Sequence, residues 1–234
     1  MPFFLGFDPT MVLLLPALAF AFWAQWKVKS TYQKFAQVPA ANGMTGRDMA
    51  RSIMQRNAVT DVGVEEVGGQ LSDHYDPAAR TVRLSADIYE GNSIASIAVA
   101  AHEVGHVLQH HQGYMPLQMR TSFAPVAGIG SSLAMPLFLV GIFFFRGMPF
   151  GNVLMDAGIL FFSGAVLFQI ITLPVEFDAS RRALAQLTES GAVMPQEVAG
   201  AKKVLDAAAL TYVAAAAMAA LQLVRLLILR NSRR

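Results

Sequence analysis

Long hydrophobic stretches alternate with two polar stretches along the chain. A helix needs about 20 apolar residues to cross the hydrocarbon core of a bilayer, and four stretches come close to that length. The last of them carries a single charge, Arg225, which is near enough to its end for the side chain to reach the interface. We therefore predict four transmembrane helices, at residues 9–26, 123–145, 157–175 and 207–229.

The polar stretch between the first two apolar stretches predicts a small α+β region. Residues 43–55 place their hydrophobic side chains on one helical face. Residues 71–75 and 81–84 flank an Asp-Pro turn signal at 76–77 and are expected to form a strand pair. A long helix is predicted over residues 93–110. The sequence thus indicates a mainly α integral membrane protein with a small α+β region at the membrane surface.

Composition supports this fold class and limits the chemistry. The 234 residues are 54% hydrophobic and only 15% charged, with a mean hydropathy of +0.43, whereas about a quarter of the residues in soluble domains are charged. A net charge of +2 gives no indication of a nucleic-acid partner. The absence of cysteine excludes disulfides, thiol catalysis and cysteine-ligated zinc. Any metal ligands must therefore be histidines and carboxylates.

Basic residues predict the orientation in the membrane. If all four stretches cross, residues 27–120 and 181–203 lie on one side and hold thirteen Lys and Arg residues. The opposite side holds four, namely Arg146, Arg230, Arg233 and Arg234. The positive-inside rule favours a cytoplasmic face for the larger segments, although the basic tail argues the other way.

An HExxH motif at residues 102–106 is the strongest chemical signal. His102 and His106 are four residues apart, so both imidazoles lie on one helical face and can bind one ion. Zinc bound by neutral histidines lowers the pKa of its water towards about 7, and Glu103 can take a proton as that water attacks a carbonyl. The alternative is two structural histidines and a solvated glutamate, but burial in so apolar a helix would cost several kcal/mol.

A third zinc ligand must come from elsewhere in the chain. Glu176 is the candidate, because a hairpin of two membrane crossings returns it to the side of the HExxH motif. Asp178 is the rival ligand, and it can alternatively pair with Arg182 in an interfacial charge cluster. His110 is about 12 Å along the helix from His102 and cannot share the ion. It is expected to form, with His111, a polar helix end.

These motifs resemble the YugP-type membrane zinc metallopeptidases over nearly the whole chain. The matching stretches are KVKSTY at 27–32, DHYDP at 73–77, AHEVGH at 101–106, LPVEFDASRRA at 173–183 and AAALTY at 207–212. The resemblance implies a gluzincin-type peptidase of the prokaryotic (inner) membrane. A more distant similarity, to HtpX and the CAAX prenyl protease, implies that Glu176 binds zinc. Those relatives have Asp where this chain has Ser180, so Asp178 or Ser180 must substitute in orienting a ligand.

The sequence gives weaker indications of how a substrate binds. A strand edge at residues 71–75 beside the HExxH helix could align an extended peptide through main-chain hydrogen bonds. His74 is our first candidate for a catalytic donor to the oxyanion that develops during peptide hydrolysis. Tyr75, Tyr114 and Arg181 are the other candidates, and His74 and Tyr75 could instead pack or cap the turn.

The predicted function is that of a membrane-embedded, zinc-dependent endopeptidase acting on polypeptides. The alternative is a zinc-stabilised membrane scaffold or quality-control adaptor without turnover, which an intact HExxH motif disfavours. A transporter is disfavoured by the few ionisable residues in the apolar stretches. The predicted segments are a first transmembrane helix (1–26), a catalytic region (27–122), a transmembrane hairpin (123–175), a third-ligand helical segment (176–205), and a last transmembrane helix with a basic tail (206–234).

Overall fold

The computed structural model describes residues 9–69, 72–145, 147–191 and 193–232. Four residues used in the sequence predictions lie outside these ranges: Leu71, Arg146, Arg233 and Arg234. The chain divides into two compact units. The apolar unit comprises Met1–Trp23, Met119–Leu173 and Tyr212–Arg234, and the mixed unit comprises Ala24–Gln118 and Pro174–Thr211.

Helices make up most of the described chain. In chain order they are α1 (Leu15–Ala36, preceded by a 3₁₀ turn at Pro9–Leu14), α2 (Gly46–Arg56), α3 (Ala86–Tyr89), α4 (Ile94–His111), α5 (Met115–Phe143), α6 (Pro149–Glu189) and α7 (Pro195–Asn231). The strands are β1 (Gly63–Val67), β2 (His74–Asp76) and β3 (Thr81–Ser85).

Four of the described helices are long and apolar enough to cross a membrane, as the hydrophobic pattern predicts. They are Pro9–Ala36, Met115–Phe143, Pro149–Glu189 and Pro195–Asn231. At most 33% of the most apolar window of any of them is buried within the protein, so most of this apolar surface requires a nonpolar surrounding. Each helix extends beyond its predicted apolar stretch; α6 continues through Pro174 as far as Glu189. The chain is therefore a membrane protein by composition and by fold.

A three-stranded sheet lies in the mixed unit, in the order β1-β3-β2. The predicted strand pair is confirmed as β2 and β3, which pair antiparallel with Tyr75 opposite Val82. The prediction did not include the third strand of the sheet, β1, which pairs with β3 in parallel. The side chains of β1 are exposed or half-buried, which explains why its alternation is too weak to predict it. Among the described strands, β2 lies at an edge of the sheet and pairs only with β3.

The core of the mixed unit forms around α4. Ser93 caps this helix by accepting a hydrogen bond from the backbone N–H of Ser96, so the helix begins and ends within one residue of the prediction. α2 packs its apolar face here, and Thr45 and Asp48 form a capping box at its start. The buried residues of the two helices include Met49, Ile53, Ile97, Val104 and Val107.

Two arginines in the apolar unit have internal partners. Arg225, which we expect to reach the interface, is largely buried, and its guanidinium donates hydrogen bonds to the side-chain oxygens of Thr10 and Gln222, at 3.2 and 3.4 Å. Arg230 binds both carboxylate oxygens of Asp156, at 2.7 and 2.9 Å. Polar groups of the same unit thus satisfy both guanidinium groups, as a low-dielectric surrounding requires.

Candidate metal centre

The side chains of His102, His106 and Glu176 meet in the mixed unit. One ligand atom from each lies within 4.8 Å of the other two. The Nε2 atoms of His102 and His106 are 3.3 and 3.5 Å from Oε2 of Glu176. Because the histidines are one helical turn apart, their rings stand edge to face with centroids 4.9 Å apart.

Close packing of α4 against α6 brings the carboxylate to the imidazoles. Gly105 lies between the two histidines in sequence, and a Cβ built on it would stand 2.4 Å from the carbonyl oxygen of Ala179. A side chain at this position would therefore force the two helices apart. The glycine inside the HExxH motif is what allows Glu176 to reach His102 and His106.

This group of side chains fits a zinc ion. Two imidazole nitrogens and one carboxylate oxygen are the protein ligands of a catalytic zinc of the His₂Glu type, which leaves a fourth position open. Glu176 is buried, and a buried carboxylate requires a compensating cation. The donor set and its burial thus match the requirements of a metal centre.

Glu103 lies beside the ligands and is buried. Burial raises its pKa to about 7, with Glu176 and Asp73 adding to the rise and His102 opposing it. The backbone of Tyr75, on the edge strand β2, also opposes the rise in the pKa of Glu103. A carboxyl group whose pKa is near neutrality is suited to general acid–base chemistry.

The carboxylate of Asp178 accepts hydrogen bonds from two arginines and one side-chain amide. The donors are Arg181, Arg182 and Gln109. The pairing with Arg182, one of the two interpretations of this residue, is present. Among the described residues the metal-ligand group comprises Glu176 and not Asp178. The guanidinium of Arg182 also lies over the ring of Tyr114, with its carbon 5.5 Å from the ring centroid.

Ser180 takes the place where the distant relatives have a carboxylate. Its Oγ lies 3.1 Å from Nδ1 of His102, on the opposite side of the ring from the ligand atom. A hydrogen-bond partner at this ring nitrogen fixes the direction of the other one. Of the two residues that the sequence left open for orienting a ligand, the structure thus brings Ser180 next to His102.

Gln109 is the residue at this site that sequence reasoning missed. It is completely buried, and its side chain contacts His106 and Asp178. Its position three residues after His106, on the same face of α4, was the available signal.

The other predicted residues lie around the group rather than in it. His74 is exposed, with Nδ1 2.8 Å from the carbonyl oxygen of Ser72. The hydroxyl of Tyr75 lies 2.7 Å from Nδ1 of His110. His110 and His111 are exposed at the end of α4, where they line a cleft of about 260 Å³. The remaining lining residues are Val59, Asp61, Val62, Tyr75, Arg80 and Val107.

Sequence comparison identifies the family. The chain is 49% identical over 214 residues to a Bacillus subtilis (strain 168) protein named "Putative membrane protease YugP", an alignment that covers 91% of this chain and 92% of that protein. No solved structure matches the chain. The family described as "Putative neutral zinc metallopeptidase" matches residues 10–231, nearly the whole chain. Together with the gathered histidines and glutamate, this match shows that the chain belongs to that zinc metallopeptidase family.

Proposed function

We propose that the protein is a membrane-embedded, zinc-dependent endopeptidase of the gluzincin type, with a zincin-like catalytic region. The observation that carries the proposal is the meeting of His102, His106 and Glu176 beside the buried carboxylate of Glu103. A purely structural metal site has no need of a carboxylate next to its ligands, whereas peptide hydrolysis needs a base at that position.

In this proposal His102, His106 and Glu176 hold Zn²⁺. When bound, the ion acts as a Lewis acid that polarises the scissile carbonyl and makes water more acidic. Glu103 takes a proton from the attacking water and later delivers it to the leaving amine nitrogen.

The substrate is an extended polypeptide lying along the edge strand β2. The edge position of β2 among the described strands supports this, because an edge strand can pair with an extended peptide, and β2 also contributes the backbone of Tyr75 near Glu103. His74 precedes Tyr75 on the strand, and its ring is exposed. We propose His74 as the donor to the developing oxyanion, with Tyr75, Tyr114 and Arg181 as the other candidates.

The proposed location is the inner membrane of a prokaryotic cell, with the mixed unit in the cytoplasm. Support comes from the four apolar helices and from the excess of Lys and Arg in residues 27–120 and 181–203. The bilayer and the polypeptide substrate are the partners this function requires.

The test is hydrolysis of an unfolded protein by the purified full chain in detergent, with zinc content measured on the same samples. We expect Glu103→Gln to keep its zinc and to lose activity by about 10²–10⁴-fold, because the substitution removes the base and leaves the three ligands. Glu66→Gln, the same change at an exposed position on β1, serves as the matched control and keeps wild-type activity.

Two outcomes would contradict the proposal. Undiminished hydrolysis by zinc-loaded Glu103→Gln would exclude Glu103 as the base. A wild-type protein whose stability depends on zinc but which cleaves no unfolded substrate would favour the alternative, a zinc-stabilised scaffold or adaptor.

A further inference from the structure

Gln109 links the two helices that carry the candidate ligands. Its Oε1 lies 3.0 Å from Nδ1 of His106 on α4. Its Nε2 lies 2.8 Å from the carbonyl oxygen of Val175 and 3.0 Å from Oδ2 of Asp178, both on α6. The amide is completely buried, so these contacts make up its whole polar environment among the described residues.

The chemistry of these partners determines which atom carries the proton on His106. The carbonyl of Val175 and the arginine-paired carboxylate of Asp178 only accept hydrogen bonds, so the amide nitrogen of Gln109 must face them. Its oxygen then faces His106 and can only accept, which places the imidazole proton on Nδ1. The lone pair is left on Nε2, the atom that lies 3.5 Å from Oε2 of Glu176.

We infer that Gln109 is a positioning residue for the zinc site, holding His106 with its proton on Nδ1 and leaving Nε2, the atom next to Glu176, free to bind the ion. The inference rests on the proposed function, since it takes zinc as the ion bound there. Val175 and Asp178 anchor the amide, and Asp178 is itself held by its contact with Arg182. Loss of such an outer partner typically weakens metal binding by about 10–100-fold.

The test compares two identical substitutions on neighbouring turns. Gln109→Met preserves the shape of the side chain and removes its hydrogen bonds. Gln112→Met is the matched control. Gln112 accepts a hydrogen bond from Arg182, and among the described residues it makes no hydrogen bond with His106. Zinc affinity of the full chain in detergent is measured by competition with a chromophoric chelator. We expect about 10–100-fold weaker binding for Gln109→Met and no more than about twofold for Gln112→Met.

Thermal unfolding of the zinc-free chains separates positioning from simple packing, because a purely packing role would lower stability without changing the zinc affinity of the folded protein. Gln109→Asn is the second variant: it keeps a buried amide that is one methylene too short to reach both His106 on α4 and Val175 and Asp178 on α6. We expect its zinc binding to be about 10–100-fold weaker than that of the wild type. This variant also carries the test if Gln109→Met fails to fold, and zinc affinity within about twofold of the wild type overturns the inference.

The wild-type measurement distinguishes failure of this inference from failure of the proposed function. If the wild-type chain binds no zinc, the proposed function itself is wrong. If the wild type binds one zinc ion and Gln109→Met binds it equally tightly, only the role of Gln109 is overturned.

Discussion

Two acidic residues that are two positions apart on α6 have different surroundings. Glu176 faces the imidazoles of His102 and His106, whereas Asp178 accepts hydrogen bonds from Arg181, Arg182 and Gln109. Residues two apart on a helix point in different directions, so they cannot both approach the same ion. Both candidate ligands are buried carboxylates, so burial does not distinguish them. At the residue scale, the direction of the side chain decides which of them faces the two histidines.

Alanine substitution of each carboxylate tests this assignment. We expect Glu176→Ala to weaken zinc binding by about 100-fold or more, because a ligand is removed. Asp178→Ala is expected to bind one zinc per chain at saturation, with an affinity lowered about tenfold through the loss of support for Gln109. Metal analysis after equilibrium dialysis measures both quantities. Loss of zinc from Asp178→Ala with retention by Glu176→Ala would reverse the assignment.

Contact between α4 and α6 is the decisive feature at the element scale. The HExxH motif supplies two candidate ligands from α4, and the candidate centre is complete only where α6 passes close enough to add Glu176. Gly105 permits that approach, since a Cβ there would overlap the carbonyl of Ala179. The glycine is therefore needed for the geometry of the candidate centre, although it contributes no ligand.

We expect Gly105→Ala to destabilise the chain by about 1–3 kcal/mol and to weaken zinc binding, because the added methyl group forces α4 away from α6. Gly128→Ala is the matched control: it lies within helix α5, and a Cβ there meets nothing within 4 Å. Alanine at that helical position should be neutral or stabilising by up to about 1 kcal/mol. Thermal unfolding in detergent and zinc competition measure the two effects. Equal behaviour of the two variants would contradict the role given to Gly105.

At the scale of the whole molecule, a polar mixed unit and a set of long apolar helices belong to one chain. The absence of cysteine makes the orientation of this chain in the membrane directly measurable, because every introduced thiol is unique. Glu66 on β1 and Ser232 after α7 are both exposed. With four crossings they are expected on opposite sides of the membrane.

Labelling of intact cells with a membrane-impermeant maleimide tests the proposed orientation. We expect Ser232→Cys to react and Glu66→Cys to be protected until the cells are permeabilised, since the positive-inside rule places the mixed unit in the cytoplasm. The cysteine-free wild type serves as the blank. Labelling of Glu66→Cys in intact cells, with protection of Ser232→Cys, would invert the orientation.

The elements that the sequence predicted well are those governed by local pattern. The limits of α4, the cap at Ser93 and the four apolar helices follow from periodicity, capping and hydropathy over short stretches. The strand β1 was missed because its stability comes from pairing with a strand that follows some 18 residues later, and its exposed side chains leave little pattern. The hydrogen bond of Arg225 to Thr10 was not predicted, because Thr10 lies near the other end of the chain.

The candidate site shows the same contrast between features set by local pattern and features set by contacts between distant parts of the chain. The sequence by itself determined that His102 and His106 share a helical face and that Glu103 stands beside them, since helix geometry fixes neighbours within one turn. Only the tertiary structure decided that Glu176 rather than Asp178 faces them, that Ser180 contacts His102, and that Gln109 contacts His106. These contacts join helices about 70 residues apart in sequence, and such distances depend on packing at Gly105 that no local pattern encodes.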